Sequence, residues 1–304
     1  MKFRLLTAAL LLALVAAACG DDTSDAVTAA ADAMEDEDAM EESAMVDDMR
    51  IVSLSPTATE MLFAVGAGDL VVAVDAFSYY PEDAPVTDLS GFEPNIEAIS
   101  TYEPTVVYSQ SPIEGLEALG IENVVQPPAS TIDDVYAQIE QTGANTGQVA
   151  EAAELVLQMQ SEIDAIVAAL PEREAPLTYY HEVSTTLYTA TSSTFIGEVY
   201  SLLGLENVAD AADPDGEFFG FPQLNEEFLL VEDPDIIFLA DTIFESQTAE
   251  TVAARPGWDQ LNAVQSGNVI EMNDDIASRW GPRIVEFLQV AGDAVAAVDA
   301  VPAS

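Results

Sequence analysis

Short apolar runs alternate with segments of helical periodicity along most of the chain after residue 50. The first run, Ile51–Leu54, has the length of a buried strand, and Met61, Leu62 and Val65 follow it at helical spacing. Ser55 suits the cap of that helix. Further strands are predicted at Val71–Val74, Thr105–Tyr108, Asn123–Val125, Leu177–Val183, Ile236–Ala240 and Val269–Met272. This alternation predicts an α/β fold with mainly parallel sheets.

Helices are predicted between and after these strands. Their expected bounds are Pro56–Val65, Ile96–Thr101, Ile113–Leu119, Ile132–Gln141, Phe195–Leu203, Leu224–Val231 and Ile284–Val298. The longest periodic segment runs from Val149 to Leu170, with Asn145 or Thr146 as its expected cap and Pro171 as its stop. It would be roughly 35 Å long, which suits a rigid strut between two domains.

One internal similarity relates the two halves of the chain. Asn95, Glu97 and Pro104 precede an apolar strand, and Asn225, Glu227 and Pro234 stand at matching offsets before another. The halves therefore look like related lobes, one on each side of the long helix.

Charge narrows the possible partners. The 304 residues include 55 acidic and only 7 basic ones, for a formal net charge of −48. Nucleic acid is excluded as a partner, because phosphate binding needs clustered Lys or Arg. Anionic membranes are disfavoured for the same reason. The acidity is spread along the chain, which favours a solvent adaptation, with a saline habitat as the hypothesis.

The N-terminus has the features of an export signal. Lys2 and Arg4 precede an apolar stretch that is too short to span a bilayer, so residues 1–18 are predicted to be a signal peptide. The sequence from Val15 to Cys19, the single cysteine, resembles the lipobox of bacterial lipoproteins, which implies lipidation of Cys19. The alternative is a cleaved signal with an incidental cysteine. Residues 19–49 are predicted to be a lipidated, acidic, disordered tether.

Several motifs then occur in a fixed order over roughly residues 50 to 298. They are Arg50–Glu60, Tyr80–Pro81, Asn95–Ile99, Glu103–Pro104, Phe195–Glu198, Phe221–Leu224, Asp233–Ile237 and Arg279–Arg283. Together they resemble the cobalamin, haem and ferric-siderophore binding proteins of ABC importers. The resemblance implies two Rossmann-like α/β lobes, residues 50–145 and 171–304, joined by one rigid helix, residues 146–170, with a ligand cleft between them.

The resemblance also implies the residues that contact ligand. In the vitamin B12-binding members the matching positions lie in both lobes. Here they are Pro56, Thr57, Phe77, Tyr80, Phe92, Gln110, Tyr188, Phe221, Asp275, Arg279 and Trp280. For Phe77 and Phe92 the alternative is an ordinary core position. Phe221 and Gln110 stand where B12 binders can carry Trp. No catalytic residue, metal or cofactor is implied.

Charge and the histidine content bear on the ligand. Anionic siderophores are usually held by Arg or Lys, and only Arg279 and Arg283 are expected near the cleft, so a corrinoid or a neutral or cationic hydroxamate fits better. Haem would favour an axial His or Tyr. His181 is the one histidine, and it lies in a predicted strand, where a structural role is the simpler interpretation and an axial ligand the alternative.

By resemblance, Glu97 and Glu227 are expected to dock onto arginines of the membrane permease. The expected protein is an extracytoplasmic, monomeric, lipid-anchored receptor that delivers its ligand to an ABC permease, meets the membrane only through its anchor, and is not an enzyme. Two alternatives remain: a secreted carboxylate-dependent hydrolase and a non-transport surface lipoprotein. The sequence lacks Gly-x-Ser-x-Gly and His-Glu-x-x-His motifs, which disfavours serine hydrolase and zinc protease chemistry.

Overall fold

The computed structural model describes residues 48–300. The predicted signal peptide, Cys19 and most of the acidic tether lie outside the described residues. Within the described part, no helix is both long and apolar enough to cross a membrane.

The first lobe is built on a five-stranded sheet. Its strands are β1 (Ile51–Ser53), β2 (Val71–Asp75), β3 (Val86–Leu89), β4 (Val106–Ser109) and β5 (Glu122–Val125). They lie in the order β3-β2-β1-β4-β5, and every neighbouring pair is parallel. The chain winds outward from β1 to β3 and then returns to β4, so the direction of winding switches between β1 and β4.

The second lobe repeats this plan with four strands. They are β6 (Thr178–Glu182), β7 (Glu206–Asn207), β8 (Ile236–Leu239) and β9 (Val269–Glu271). They form a parallel sheet in the order β7-β6-β8-β9. Here the winding switches between β6 and β8. Both sheets therefore have the doubly wound pattern in which ligands bind beyond the carboxyl ends of the strands at the switch.

Helices connect and cover the two sheets. Within the described residues they are α1 (Pro56–Ala64), α2 (Ile96–Ser100), α3 (Ile132–Thr146), α4 (Val149–Ala168), α5 (Phe195–Leu202), α6 (Glu226–Glu232), α7 (Ala249–Ala253), α8 (Asn262–Ser266), α9 (Asp274–Ser278) and α10 (Ile284–Ala300). One buried apolar cluster extends from the first sheet through α3 and α4 to the second sheet and α10. The lobes thus share a core along the connecting helix.

The connecting helix α4 begins at Val149, as its apolar pattern predicts, and ends two residues earlier than predicted, at Ala168. Its 20 residues correspond to about 30 Å. The predicted caps are wrong, because Asn145 and Thr146 are the last two residues of α3. Gly147, in the left-handed conformation, caps the C-terminus of α3. The residue at the helix boundary is Gln148, whose side chain makes no capping hydrogen bond. The helix ends at Ala168 because a residue that precedes proline, here Leu170, disfavours helical geometry.

Other predictions need correction at their edges. The helix expected at Ile113–Leu119 is wrong: only Glu117–Leu119 forms a 3₁₀ turn, because Gly115 has a φ of 96° and interrupts the helix. The helix expected from Leu224 begins at Glu226, with Asn225 as its cap. The short elements β3, β7, α7, α8 and α9 have no predicted counterpart.

Candidate ligand-binding cleft

The carboxyl ends of four strands meet in one cavity between the lobes. Leu54 follows β1, Gln110 follows β4, Val183 follows β6 and Ala240 follows β8, and all four line a cavity of about 410 Å³. These are the strands at the winding switch of each sheet, where backbone connections diverge and leave a crevice. The order of the strands in the two sheets therefore determines where the cleft lies.

Most of the predicted contact residues line this cavity, which we call the charged chamber. They are Pro56, Thr57, Phe77, Phe92, Gln110, Asp275, Arg279 and Trp280. Gly91, which precedes the predicted Phe92, lines it as well. Sequence reasoning missed others, namely Leu54, Asp75, Val183, Ala240, Phe244, Asp274 and Ser278.

A second cavity of about 400 Å³ adjoins the first and shares Val183, Ser278 and Trp280 with it. Its other lining residues are Pro128, Ala129, Ser130, Ser193, Thr194, Phe195, Ile196, Phe219 and Phe221. None of these described side chains is ionisable, and three of them are phenylalanines, so we call this cavity the aromatic chamber. Trp280 stands between the two chambers, and Phe221 is the other predicted contact residue that lines the aromatic one.

Aromatic rings at the cleft are exposed rather than packed in the core. Phe77 is 44% and Phe92 83% exposed, and their rings meet edge to face with centroids 5.9 Å apart. Phe219 is 90% exposed. Exposed apolar side chains concentrated at a concave site are typical of a ligand pocket. The core alternative for Phe77 and Phe92 does not match this exposure.

Two buried carboxylates fix the loops that carry these rings. The Asp75 Oδ1 accepts hydrogen bonds from the Phe77 amide at 3.1 Å and the Ser78 hydroxyl at 2.7 Å. Burial raises the pKa of Asp75, and those hydrogen bonds oppose the rise. Asp274 accepts from three consecutive backbone amides, those of Thr242, Ile243 and Phe244, at 2.8 to 3.0 Å. Phe244 owes its position in the charged chamber to that carboxylate.

An ion cluster joins the lobes at one wall of the cleft. The Arg279 Nη1 donates to the Oε1 of Glu60 on α1 at 2.8 Å, and Arg283 Nη1 lies 3.3 Å from the same oxygen. The Arg279 Nη2 donates to Asp275 Oδ1 at 2.7 Å, and the Tyr79 hydroxyl donates to Asp275 Oδ2 at 2.5 Å. Burial raises the pKa of Glu60, whereas its hydrogen bond and charge interaction with Arg279 lower it. We call these residues the interlobe cluster.

Two predicted contact residues do not line either chamber. The Tyr80 ring lies under the Arg283 guanidinium, 4.1 Å from its centroid, beside the interlobe cluster. Tyr188 forms an antiparallel bridge with Gln223 and is half exposed.

His181 lies inside the second lobe, away from both chambers. It is fully buried, and its Nδ1 is 2.9 Å from the Tyr200 hydroxyl. Burial lowers the pKa of His181 to about 3. This environment agrees with a structural role for the side chain and not with an axial ligand in the cleft.

Glu97 and Glu227 occupy equivalent positions on the two lobes. Each is exposed in the first turn of a short helix, α2 or α6, two residues after the capping asparagine. The Asn95 side chain accepts from the Glu97 amide at 3.0 Å, and the Asn225 side chain accepts from the Phe228 amide at 2.9 Å. The internal sequence similarity thus corresponds to matching capped helices.

Residues 51–276 of the chain match the periplasmic binding protein family. The chain belongs to this family. Members are solute-binding proteins and in general not enzymes, which favours binding over the hydrolase alternative. The resemblance drawn from the motifs is confirmed, and so is the predicted fold of two α/β lobes with a connecting helix.

Three similar proteins illustrate the family's range. The ABC transporter substrate-binding lipoprotein YvrC of Bacillus subtilis is 28% identical, with 81% of this chain and 79% of that protein covered. A cobalamin-binding protein of Halobacterium salinarum is 30% identical, over 78% of this chain and 66% of that protein. The periplasmic haem-binding protein HutB of Vibrio cholerae has a TM-score of 0.71 at 25% identity, over 81% and 98% of the two chains.

Proposed function

We propose that this family member is the solute-binding component of an ABC importer, and that it captures a corrinoid or an iron chelate, either siderophore or haem. The observation that carries the proposal is the pair of adjoining chambers, of about 410 and 400 Å³, at the switch points of both sheets. Their exposed aromatic rings suit a bulky ligand with flat apolar faces. The ligands named for the Halobacterium and Vibrio relatives belong to the same size class.

The proposed mechanism has no chemical step. The ligand enters between the lobes and contacts the aromatic rings of both chambers. The lobes then close by a small movement, because the shared core along α4 opposes a large one. The Trp280 ring, which lines both chambers, is the central contact.

A single-tryptophan variant gives a direct test of ligand capture. The chain has two tryptophans, and Trp258 is fully buried in a separate apolar cluster of the second lobe. In Trp258→Phe, fluorescence therefore reports on Trp280 alone. Titration with cobalamin, haemin and a panel of ferric hydroxamates should quench that fluorescence at one-to-one stoichiometry for one compound, with matching calorimetry. Absence of binding by all of them would reject the proposed ligand class.

Delivery to the permease is the second part of the proposal. Glu97 and Glu227 would dock onto basic residues of the permease, one from each lobe. Their exposure and their equivalent positions on capped helices support this role. Reversing both charges, in Glu97→Arg/Glu227→Arg, should abolish stimulation of a cognate transporter and leave ligand affinity intact.

A matched control keeps that test specific. Glu93 and Glu226 are exposed neighbours in the same two regions, so Glu93→Arg/Glu226→Arg makes the same change in net charge. That variant should retain transport stimulation. Loss of ligand binding in the Glu97/Glu227 variant would instead assign those residues to the pocket or to folding.

The third part of the proposal is a lipid anchor at Cys19 on the outer face of the cell membrane. The lipobox-like sequence supports it, as does the word lipoprotein in the name of the Bacillus relative. Expression of the full chain should give a membrane-bound product whose first residue is a lipid-modified Cys19 by mass spectrometry. Cys19→Ala should release the protein to the soluble fraction; an equal distribution of both forms would argue against the anchor.

A further inference from the structure

The cleft has very little positive charge with which to hold an anion. Among the described residues that line the two chambers, Arg279 is the single basic side chain. Arg283 lies behind it and contacts the Tyr80 ring. Whether an anionic chelate can bind therefore depends on whether these two guanidinium groups are available.

Both guanidinium groups already have carboxylate partners. Arg279 donates to Glu60 at 2.8 Å and to Asp275 at 2.7 Å, and it also donates to the Phe77 carbonyl at 3.2 Å. Arg283 shares the same Glu60 oxygen at 3.3 Å. The side chains of Arg279, Arg283 and Glu60 are only 11%, 13% and 2% exposed. Solvent screening is weak at such burial, so these pairings dominate the local potential.

The formal charges of the interlobe cluster cancel. Arg279 and Arg283 supply +2, and Glu60 and Asp275 supply −2. Asp75 and Asp274 also line the charged chamber, and neither adds positive charge to it. An anionic chelate would have to displace a buried carboxylate from an arginine, which is costly.

Glu60 differs from Asp275 in one respect that matters. Asp275 lines the charged chamber, whereas Glu60 lies behind the wall and lines neither chamber. Its Oε2 is buried without a hydrogen-bond partner among the described residues, so the two arginines on Oε1 are the basic partners of this carboxylate. Removing the Glu60 charge therefore changes the potential in the cleft without removing a ligand contact.

We infer that Glu60 determines the charge specificity of the cleft: by neutralising Arg279 and Arg283 from the opposite lobe, it makes the protein select neutral or cationic chelates and reject anionic ones. This inference rests on the proposed capture of a corrinoid or iron chelate. Without Glu60, the formal charge of the interlobe cluster would be +1 instead of zero, and each arginine would have one carboxylate partner fewer with which an anionic ligand must compete.

The test compares pairs of the same chelate that differ chiefly in charge. One pair is cyanocobalamin and its derivative with one side-chain amide hydrolysed to a carboxylate. The other is a linear ferric trihydroxamate with a free ammonium group and the same chelate with that amine succinylated. Calorimetry with the full chain should show at least tenfold tighter binding of the neutral or cationic member. In Glu60→Gln, which keeps the shape of the side chain, that ratio should fall at least tenfold.

The matched control is Glu286→Gln. The Glu286 carboxylate is 3.5 Å from Arg283 Nε, but its side chain is 53% exposed and lies outside the interlobe cluster. Glu286→Gln therefore removes one carboxylate charge beside Arg283, as Glu60→Gln does, but from an exposed position. Its ratio should equal that of the unaltered protein. Should Glu60→Gln fail to fold by circular dichroism, Asp275→Asn removes the other carboxylate from Arg279 and should lower the ratio in the same direction.

The outcomes separate this inference from the function on which it rests. An unaltered protein that binds both members of a pair equally overturns charge selection, whatever the variants do. An unchanged ratio in Glu60→Gln, with binding intact, overturns the role of Glu60 and leaves chelate capture standing. Binding of haemin, whose two propionates make it anionic, without binding of the neutral or cationic members would also overturn charge selection and leave chelate capture standing. If the unaltered protein binds no chelate of either pair and no haemin, the proposed function fails, and charge selection fails with it.

Discussion

The Tyr79 hydroxyl donates a 2.5 Å hydrogen bond to the Asp275 carboxylate, although 196 positions separate the two residues along the chain. Tyr79 belongs to the first lobe and Asp275 lies in the first turn of α9 in the second, so the bond joins the lobes at the wall of the cleft. Asp275 also accepts from Arg279. The position of Asp275, which lines the charged chamber, therefore depends on how the two lobes are placed relative to each other.

Replacing Tyr79 with Phe should weaken this link. A hydrogen bond to a charged group contributes roughly 1.5–3 kcal/mol, and Asp275 would keep Arg279 as a partner, so we expect a loss at the lower end of that range. Urea unfolding at pH 7 measures it. Tyr80→Phe is the control, because it removes a neighbouring hydroxyl and retains the ring under Arg283. Equal losses in both variants would contradict a specific role for the Tyr79 bond.

Adding a methyl group at Gly91 should disturb the charged chamber. A Cβ there would lie 2.3 Å from the Leu54 carbonyl oxygen and 2.9 Å from Asp75 Oδ2, so the loop before Phe92 must move. We expect Gly91→Ala to cost about 1–3 kcal/mol, as overpacking usually does, and to weaken ligand binding. Differential scanning calorimetry and ligand titration measure the two effects. At Gly281 the nearest atom would be 3.5 Å away, so Gly281→Ala should change neither quantity appreciably.

Acid should destabilise the protein partly through His181. Burial lowers the pKa of His181 from 6.5 to about 3, so between these values the unfolded chain binds a proton that the native state does not. The stabilisation is complete above pH 6.5 and is lost as the pH falls toward 3. At pH 5 the loss amounts to about 2 kcal/mol.

His181→Phe should therefore lose about 2 kcal/mol less than the unaltered protein when the pH falls from 7.5 to 5, by urea unfolding at both values. The comparison within each protein cancels any constant packing cost of the substitution. Tyr200→Phe removes the hydrogen-bond partner of His181 and keeps the imidazole, so its acid sensitivity should remain. Identical acid sensitivity of His181→Phe and the unaltered protein would contradict the assignment.

The opposite pH dependence is expected at Asp241, which is only 1% exposed. Burial and then the charge of Glu182 raise the pKa of Asp241 from 3.8 to about 8. The native state keeps a proton that the unfolded chain releases, so the protein loses stability as the pH rises from 4 to 8. Asparagine does not titrate, so the free energy of unfolding of Asp241→Asn, relative to that of the unaltered protein, should increase by at least about 1 kcal/mol between pH 5 and 8.

Thermal or urea unfolding across that range provides the measurement for Asp241→Asn. Asp88→Asn, on the exposed edge strand β3, makes the same change in net charge, and its effect should not grow in this way. A constant difference between Asp241→Asn and the unaltered protein from pH 5 to 8 would refute the prediction.

The sequence predicted those parts of the fold that have a local signal. β1, β4 and β8 are mainly apolar because they are buried on both faces, and α4 carries unbroken helical periodicity. α9 has only five residues, too few for a periodic pattern, and it depends on the side chain of Asn273, which caps two of its amides. β3 was missed because its exposed Val86 and Asp88 give no apolar run.

At the candidate site, family motifs led to eight residues of the charged chamber, but the partners of those residues were not predictable. Glu60 is one more polar position on α1 in the sequence, and its contact with Arg279 spans 219 positions. Phe244 lies in a loop whose shape is set by Asp274, some 30 residues later. Such relationships form only when distant segments of the chain fold together, so local periodicity and spacing do not reveal them.

The carboxylate of Asp274 has a consequence for how such receptors diversify. It accepts hydrogen bonds from the backbone amides of residues 242 to 244, and these bonds do not involve the side chains at 243 and 244. Any residue with a backbone N–H can occupy those two positions while the loop keeps its path. Mutations at 243 and 244 can therefore accumulate, and be selected for a new solute, without first passing through misfolded intermediates.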